Sequence, residues 1–197
     1  MAEGRSGPGG RCRVFFAWLV PCFYFKGDEV VFSVGELIAY GNTGVCRIES
    51  VESGKTGQRY ILRPLYQTCT ISLPVDSPKI FMRPLISRDD AICLIDSIPT
   101  VSAEPYHNKV MRQLTEYYES ALKNYTCEGL VALTMSIYAK KLQAEREHRK
   151  FGAIDERYMK RAEALLFGEF AAVLDIPRDA VRGFITERLG GKAPFTD

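Results

Sequence analysis

Hydrophobic and polar residues follow different periods in the two halves of the chain. From Val30 to about Leu85, short apolar runs alternate with polar positions and are separated by glycine-containing turns, a pattern typical of β-strands. After Pro105 no proline occurs until Pro177, and apolar residues recur at the three- to four-residue spacing of amphipathic helices. The sequence therefore predicts an α+β protein in which the strands precede the helices.

Four or five short strands are predicted in the first half. Val45–Val51 alternates like a half-buried strand, and Gly54 and Gly57 flank a hairpin-type connection. The other predicted strands are Leu37–Tyr40, Arg59–Leu65 and Thr68–Val75. Strands this short, with regularly spaced turns, predict a small, strongly bent β-barrel with a thin core that leans on the rest of the chain.

The second half is predicted to be a compact bundle of four to five helices. Ser87 is a candidate N-cap for a short helix, Arg88–Ile95, and the prolines at 99 and 105 mark a linker. Four later helices are predicted. The first has an apolar stripe at Met111/Leu114/Tyr118/Leu122, and the second has one at Leu130/Leu133/Ile137/Lys141 and ends near Phe151-Gly152. The third begins after a cap at Asp155 with a stripe at Met159/Ala162/Leu165/Phe170, and the fourth covers 178–189.

These patterns predict a β domain over 30–86, a helical domain over 87–192 and a tail over 193–197. Residues 1–29 stand apart, because an apolar run over 14–25 resembles the core of a signal peptide but no small-residue cleavage site follows. The run is also shorter than the roughly 20 residues that span a bilayer. We expect residues 1–29 to be a non-native or disordered extension, with the true start near Val30, and consider secretion the weaker alternative.

Composition excludes several classes of protein. Of the 197 residues, 46% are hydrophobic and 25% are charged, which is enough for a packed core. The net charge of +2 argues against a basic coat over the whole surface but allows a local basic patch. Six cysteines are scattered singly without a C-x-x-C pair, and only two histidines occur. We therefore predict reduced thiols, no metal site and no cofactor.

No catalytic constellation is visible in the sequence. Neither His107 nor His148 has a cysteine or serine in a recognisable nucleophile setting. Asp89 and Asp90 are neighbours at a helix start, where carboxylates favour the helix dipole, and are not a spaced acid–base pair. We predict that the protein is not an enzyme and has no catalytic residue.

A basic stretch between Lys140 and Arg161 is open to two interpretations. It holds eight lysines and arginines against four acidic residues. The stretch can be a solvated helix face with i,i+4 ion pairs such as Glu145–Arg149. Alternatively, it can contact phosphates, because lysine and arginine that displace counterions from DNA supply sequence-independent affinity. Charge alone does not separate the two.

Several segments, in order, resemble the CarD/CdnL family of transcriptional regulators. Phe32–Tyr40 followed by Gly44–Ile48 is similar to the opening of that family, with its aromatic residue, Val-Gly-Glu and turn glycine. Tyr60–Leu62 and Ile71–Pro74 match its next strands, and Arg157–Phe170, with a Gly-Glu step, resembles its last long helix. The similarity runs from about Phe32 to about Leu189.

The resemblance implies a bacterial, cytoplasmic transcription factor without a membrane segment, expected to act as a monomer. Its N-terminal domain would be Tudor-like, related to that of transcription-repair coupling factor, and would bind the RNA polymerase β subunit. Its helical domain would bind promoter double-stranded DNA at the upstream edge of the bubble and stabilise the open complex. An adaptor that binds polymerase with little or no DNA contact is the alternative.

The resemblance also implies which residues form the two surfaces. The polymerase-binding residues would be Thr70, Ile71, Ser72 and Leu73, on an edge strand that can pack against or extend a partner sheet. Ser72 stands where some members of the family carry an arginine, so one charged contact is missing from this strand.

For DNA, the family commonly places a tryptophan wedge after the proline that enters the helical domain, whereas this chain has Tyr106 after Pro105. Tyr106 can stack on DNA or pack on the bundle, and the residues alone leave both open. The other candidate DNA-binding residues are Lys109, Arg112, Lys140 and Lys141.

Overall fold

A computed structural model describes residues 32–54, 57–75 and 81–191. Within them it contains five strands, β1 (Leu37–Tyr40), β2 (Gly44–Gly54), β3 (Gly57–Pro64), β4 (Ile71–Pro74) and β5 (Met82–Pro84), and five α-helices, α1 (Arg88–Ser97), α2 (Met111–Leu122), α3 (Cys127–Arg146), α4 (Ala153–Leu174) and α5 (Ala180–Arg188). The predicted α+β class is confirmed. The extension predicted over 1–29 and the tail predicted over 193–197 lie outside the described residues.

The five strands form an open antiparallel sheet in the order β4-β3-β2-β1-β5. The predicted closed barrel is therefore wrong, because β4 and β5 form opposite edges and do not pair with each other. Both edge strands are short and include a proline, Pro74 or Pro84, which lacks the N–H group that a further pairing partner would need. β5 was not predicted, since three residues carry too little alternation to be read as a strand.

The sheet encloses a small core of its own on one face. Phe32, Ile38, Cys46, Ile48, Tyr60 and Leu62 are all buried in one cluster. Phe32 is tied to β3, because its backbone N–H donates to the hydroxyl of Tyr60 at 3.1 Å. Burial raises the pKa of the Cys46 thiol to about 11, so this thiol is protonated and packs as an apolar group.

Local capping signals locate the helix starts with mixed success. The predicted N-cap Ser87 is confirmed, since its hydroxyl accepts from the backbone N–H of Asp90. The predicted cap at Asp155 is wrong, because α4 begins earlier, after Gly152, and Asp155 is buried within the first turn. The predicted end of α3 near Phe151 is also wrong. α3 ends at Arg146 because His148 adopts a left-handed conformation at φ 52°, a helix stop that glycine usually makes.

The helices share one large core that extends from α1 to α5. Its fully buried members include Ile95, Leu122, Ile137, Phe170 and Ile185. The 22-residue α4 runs through the middle and packs against α1, α2, α3, α5 and the sheet strand β2. None of the helices in the described ranges is long and apolar enough to cross a membrane.

Candidate functional site

The candidate polymerase-binding strand β4 is an edge of the sheet. β4 pairs with β3 on one side, and among the described residues no strand pairs with its other side. Ile71 and Leu73 are half-buried against the sheet core, whereas Thr70 and Ser72 are exposed. The strand begins at Ile71, so Thr70 lies just before it. Ahead of Pro74, which lacks an N–H group, this unpaired edge offers backbone groups and alternate side chains to a partner.

Arg59 adds a charge to this edge that sequence analysis missed. It lies on β3 opposite Pro74, and its Nε donates to the hydroxyl of Ser72 at 2.8 Å. A second guanidinium nitrogen donates to the Ser72 carbonyl oxygen at 3.0 Å. A guanidinium therefore sits at Ser72, the position where some members of the resembled family carry an arginine in the strand itself. Only the strand register brings the two residues together.

Tyr106 has the geometry of a packing residue. Its ring stacks on that of Tyr117 with the centroids 3.9 Å apart and the planes at 17°. Its hydroxyl accepts from the side-chain amide of Asn108 at 3.1 Å, and its ring packs against the helical core. Four residues separate it from the start of α2 at Met111. Of the two roles that the sequence left open, the structure favours packing on the bundle.

The neighbouring candidates Lys140 and Lys141 lie in different environments. Lys140 is 13% exposed and donates from Nζ to Oδ1 of Asp155, itself buried, at 2.8 Å. That ammonium is held against the bundle by a buried carboxylate, and little of the side chain is exposed. Lys141 is placed over the ring of Tyr138, 5.9 Å from its centroid, and makes no ion pair with any described residue. Of the two, Lys141 is the residue available to a phosphate.

The first residues of α2 form an exposed apolar tip. Met111 is 68% exposed and Val110 is 51% exposed, although both are apolar and follow one another at the start of the helix. The candidates Lys109 and Arg112 flank them and are exposed. Arg112 pairs with Glu116 on the next turn at 2.8 Å. The sequence predicts Met111 on the same apolar stripe as the core residues of α2, because its spacing matches theirs.

Positive charge surrounds this tip at one end of the bundle. The tip lies beside the last turns of α3, since His107 and Gln143 are hydrogen-bonded at 2.9 Å. Arg146 and Lys150 follow in this region, are exposed, and form no ion pair with the residues that the structure describes. Of the i,i+4 pairs that the solvated-face interpretation requires, Glu156–Lys160 is present at 2.6 Å, whereas Arg149 pairs with Glu147 instead of Glu145. We call Lys109, Val110, Met111, Arg112, Lys141, Arg146 and Lys150 the basic end.

The basic end and the sheet lie at opposite ends of the bundle. The sheet contacts the C-terminal half of α4, where the hydroxyl of Tyr66 donates to the carbonyl of Gly168 at 3.2 Å. The N-terminal half of α4 contacts α2, where the hydroxyl of Tyr118 donates to Asp155 at 2.7 Å. Asp155 and Gly168 are about 20 Å apart along the helix at 1.5 Å per residue.

Within the described ranges, no group of three or more potential ligand side chains is placed to hold a metal ion.

The fold and its surfaces define a two-part protein in which an open β-sheet with a bare edge is docked on a helical bundle with a basic, apolar-tipped end. Residues 32–86 match the sequence model of the CarD-like/TRCF RID domain, so this N-terminal segment is a domain of that family, as the resemblance predicted. No curated protein matches the chain significantly. The match points to an RNA polymerase-interacting, transcription-related function.

Proposed function

We propose that the protein is a transcription factor that binds the RNA polymerase β subunit through the β4 edge and promoter double-stranded DNA through the basic end. The CarD-like domain match over residues 32–86 is the observation that carries the polymerase part. The exposed cations and apolar tip at the far end of the bundle support the DNA part. Better contacts to open than to closed DNA would then stabilise the open complex.

The polymerase surface combines an unpaired backbone edge with one guanidinium. Ile71 and Leu73 present half-buried apolar side chains on one face of β4, and Arg59 holds a positive charge on the other face through Ser72. Main-chain pairing along an edge gives affinity, and side chains on alternate positions give specificity. An acidic group on the polymerase surface would complement Arg59.

Replacing Arg59 with alanine is expected to weaken binding to purified RNA polymerase about tenfold, because a charge-assisted hydrogen bond at an interface contributes about 1.4 kcal/mol or more. The matched control is Arg63→Ala. Arg63 lies on the same strand, is 64% exposed and pairs with Glu49 at 2.8 Å. We expect the control to change the affinity less than twofold in the same titration. Equal losses for the two variants would contradict the assignment of Arg59.

Met111, rather than Tyr106, is the side chain that we propose to insert into DNA. An apolar side chain that enters between base steps stabilises unstacked, kinked DNA, and Met111 is exposed at a helix start between the cations Lys109 and Arg112. These two cations, with Lys141, would contact the backbone on either side of the insertion. Tyr106 would support this surface from beneath through its stack on Tyr117.

Met111→Ala is expected to shorten the lifetime of the open promoter complex about tenfold, equivalent to about 1.4 kcal/mol, without lowering the melting temperature. The reason is that a 68% exposed side chain contributes little to the core but would be buried against DNA. Val34→Ala, at a 60% exposed apolar position in the turn before β1, is the matched control and should leave the lifetime unchanged. A different substitution, Met111→Trp, should give a lifetime equal to or longer than that of the wild type.

The adaptor alternative makes a different prediction for the same assay. Two of the five DNA candidates, Tyr106 and Lys140, are engaged inside the bundle, which is the observation that favours it. If the protein binds polymerase while the open-complex lifetime is the same with and without it, the adaptor function is correct. A steep fall of DNA affinity with salt concentration would support phosphate contacts at the basic end.

A further inference from the structure

A buried, bidentate ion pair joins the sheet to the bundle. On β5, Arg83 donates from Nη1 to Oε1 and from Nη2 to Oε2 of Glu169 on α4, both at 2.6 Å. Glu169 is 3% exposed and Arg83 is 25% exposed. Burial acts to lower the pKa of Arg83, but the hydrogen bonds and charge of Glu169 outweigh it and raise that pKa. The guanidinium of Arg83 is therefore charged at neutral pH.

The pair also makes hydrogen bonds with backbone groups of three segments and with the thiol of Cys127, whose Sγ lies 3.9 Å from Nη2 of Arg83. Arg83 also donates from Nε to the carbonyl oxygen of Tyr125, in the turn between α2 and α3, at 2.5 Å, and from Nη1 to that of Pro84 at 3.0 Å. The backbone N–H of Ile86 donates to Oε1 of Glu169 at 3.1 Å. One guanidinium thus connects the edge of the sheet with α4 and the α2–α3 turn.

The fork geometry restricts orientation as well as distance. Two parallel hydrogen bonds between a guanidinium and a carboxylate are directional, so they limit rotation of β5 relative to α4. Next to these hydrogen bonds, the ring of Tyr66 lies on the backbone of Gly168. The guanidinium of Arg178 lies over that ring, 5.0 Å from its centroid. A buried ion pair adds little net stability compared with apolar packing of the same volume. The ion pair fixes the relative orientation of the sheet and the bundle, whereas an apolar contact, which is not directional, would not.

We infer that the Arg83–Glu169 pair is a positioning clamp that holds the β4 edge and the basic end at a fixed separation and angle. This inference rests on the proposed function, since it concerns how the two proposed surfaces act together. When both surfaces are held in the right geometry, binding at the first makes binding at the second intramolecular, and overall affinity can rise by about 10²- to 10⁴-fold without a new contact. The gain is lost when the geometry is not maintained.

The test uses the full-length double variant Arg83→Met/Glu169→Met, which replaces the ion pair with an apolar contact of similar length. Glu169→Gln is a milder second variant that keeps the shape of the side chain and removes its charge. Asp96→Asn is the matched control, because Asp96 and Arg188 form another bidentate pair, at 2.6 and 2.8 Å, that lies within the helical half. The distribution of distances between fluorophores placed at the exposed positions Thr68 and Glu145 reports the relative orientation directly.

We expect both clamp variants to broaden the distance distribution and to shorten the open-complex lifetime at least tenfold, while affinity for polymerase alone and for promoter DNA alone changes less than twofold. The Asp96→Asn control should leave all four measurements at their wild-type values. A distribution as narrow as that of the wild type in both clamp variants, or a broadened distribution with an unchanged lifetime, overturns the inference. Failure of the proposed function is a separate outcome, since the wild type would then not bind polymerase or DNA.

Discussion

Lys140→Ala is expected to lower the free energy of unfolding by about 3–5 kcal/mol, because breaking a buried ion pair leaves the other charge without a partner. The stranded group is Asp155, whose carboxylate receives Nζ of Lys140 at 2.8 Å and the hydroxyl of Tyr118 at 2.7 Å. Burial first, and then the hydrogen bond to Asp155, raise the pKa of Tyr118, so the tyrosine stays a donor over the whole range in which the protein is handled.

The neighbouring residue provides the control for this variant. Lys141 has the same charge and length but forms no ion pair among the described residues, and its ammonium lies over the ring of Tyr138. We expect Lys141→Ala to change the free energy of unfolding by less than about 0.5 kcal/mol. The same variant should make the fall of DNA affinity with salt concentration less steep, by the amount that corresponds to about one phosphate contact. Lys140→Ala, measured under conditions in which the variant is folded, should leave the salt dependence of DNA affinity unchanged.

Chemical denaturation and a salt titration of DNA binding together decide between the two lysines. A triple variant, Lys140→Met and Asp155→Leu with Tyr118→Phe, should recover much of the lost stability, since a buried ion pair can often be replaced by apolar residues of similar volume. Tyr118→Phe is included because its buried hydroxyl would otherwise lose the acceptor that Asp155 provides. If Lys140→Ala leaves stability intact and weakens DNA binding, the placement of Lys140 within the bundle is wrong and the residue returns to the DNA surface.

Gly168→Leu is expected to destabilise the protein by about 1–3 kcal/mol through overpacking at the contact between the sheet and α4. A Cβ atom at this position would lie 3.1 Å from Cε2 and 3.4 Å from Cδ2 of Tyr66, and the larger leucine side chain would extend into the same space. The ring of Tyr66 would have to move, with loss of its 3.2 Å hydrogen bond to the Gly168 carbonyl. The sheet would then be held less firmly on the bundle.

The same substitution at Gly183 is the control, because this glycine lies in α5 and a Cβ atom there would meet no atom within 4 Å. Leucine is a better helix former than glycine by up to about 1 kcal/mol, so Gly183→Leu should raise the melting temperature slightly. Thermal unfolding of the two variants side by side separates helix propensity from packing. A stabilising effect at both positions would mean that Tyr66 does not contact α4 closely.

The Gly-Glu step of α4 illustrates what a sequence pattern can and cannot convey. Gly168 and Glu169 were noticed only because the resembled family has the same Gly-Glu step, and no physical reason for either residue was visible in the sequence. In the structure the glycine admits the ring of Tyr66 and the glutamate binds Arg83, so both contacts join segments far apart in the chain. No period or spacing within α4 could have indicated either partner.

Local interactions made much of the fold predictable. The two-residue and three- to four-residue periods located strands β1 to β4 and the helices, because they report which face of a segment is buried. Ser87 was recognisable as an N-cap because its partner is three residues away. Helix ends set by unusual conformations were missed, as at His148, where a residue other than glycine takes a positive φ of 52°.

Which charged and apolar residues are available to a partner depended instead on contacts between distant segments. Composition and spacing do not distinguish Lys140 from Lys141, or Met111 from the buried Leu114, since each pair has the same chemistry and similar surroundings in the chain. A carboxylate on another helix holds Lys140, and the end of the bundle leaves Met111 without a neighbour to cover it. The sequence thus specified the elements and the kind of domain, because those follow from near neighbours. Tertiary packing decided the open sheet and the residues of each surface, because desolvation and ion pairing depend on atoms brought together only by folding.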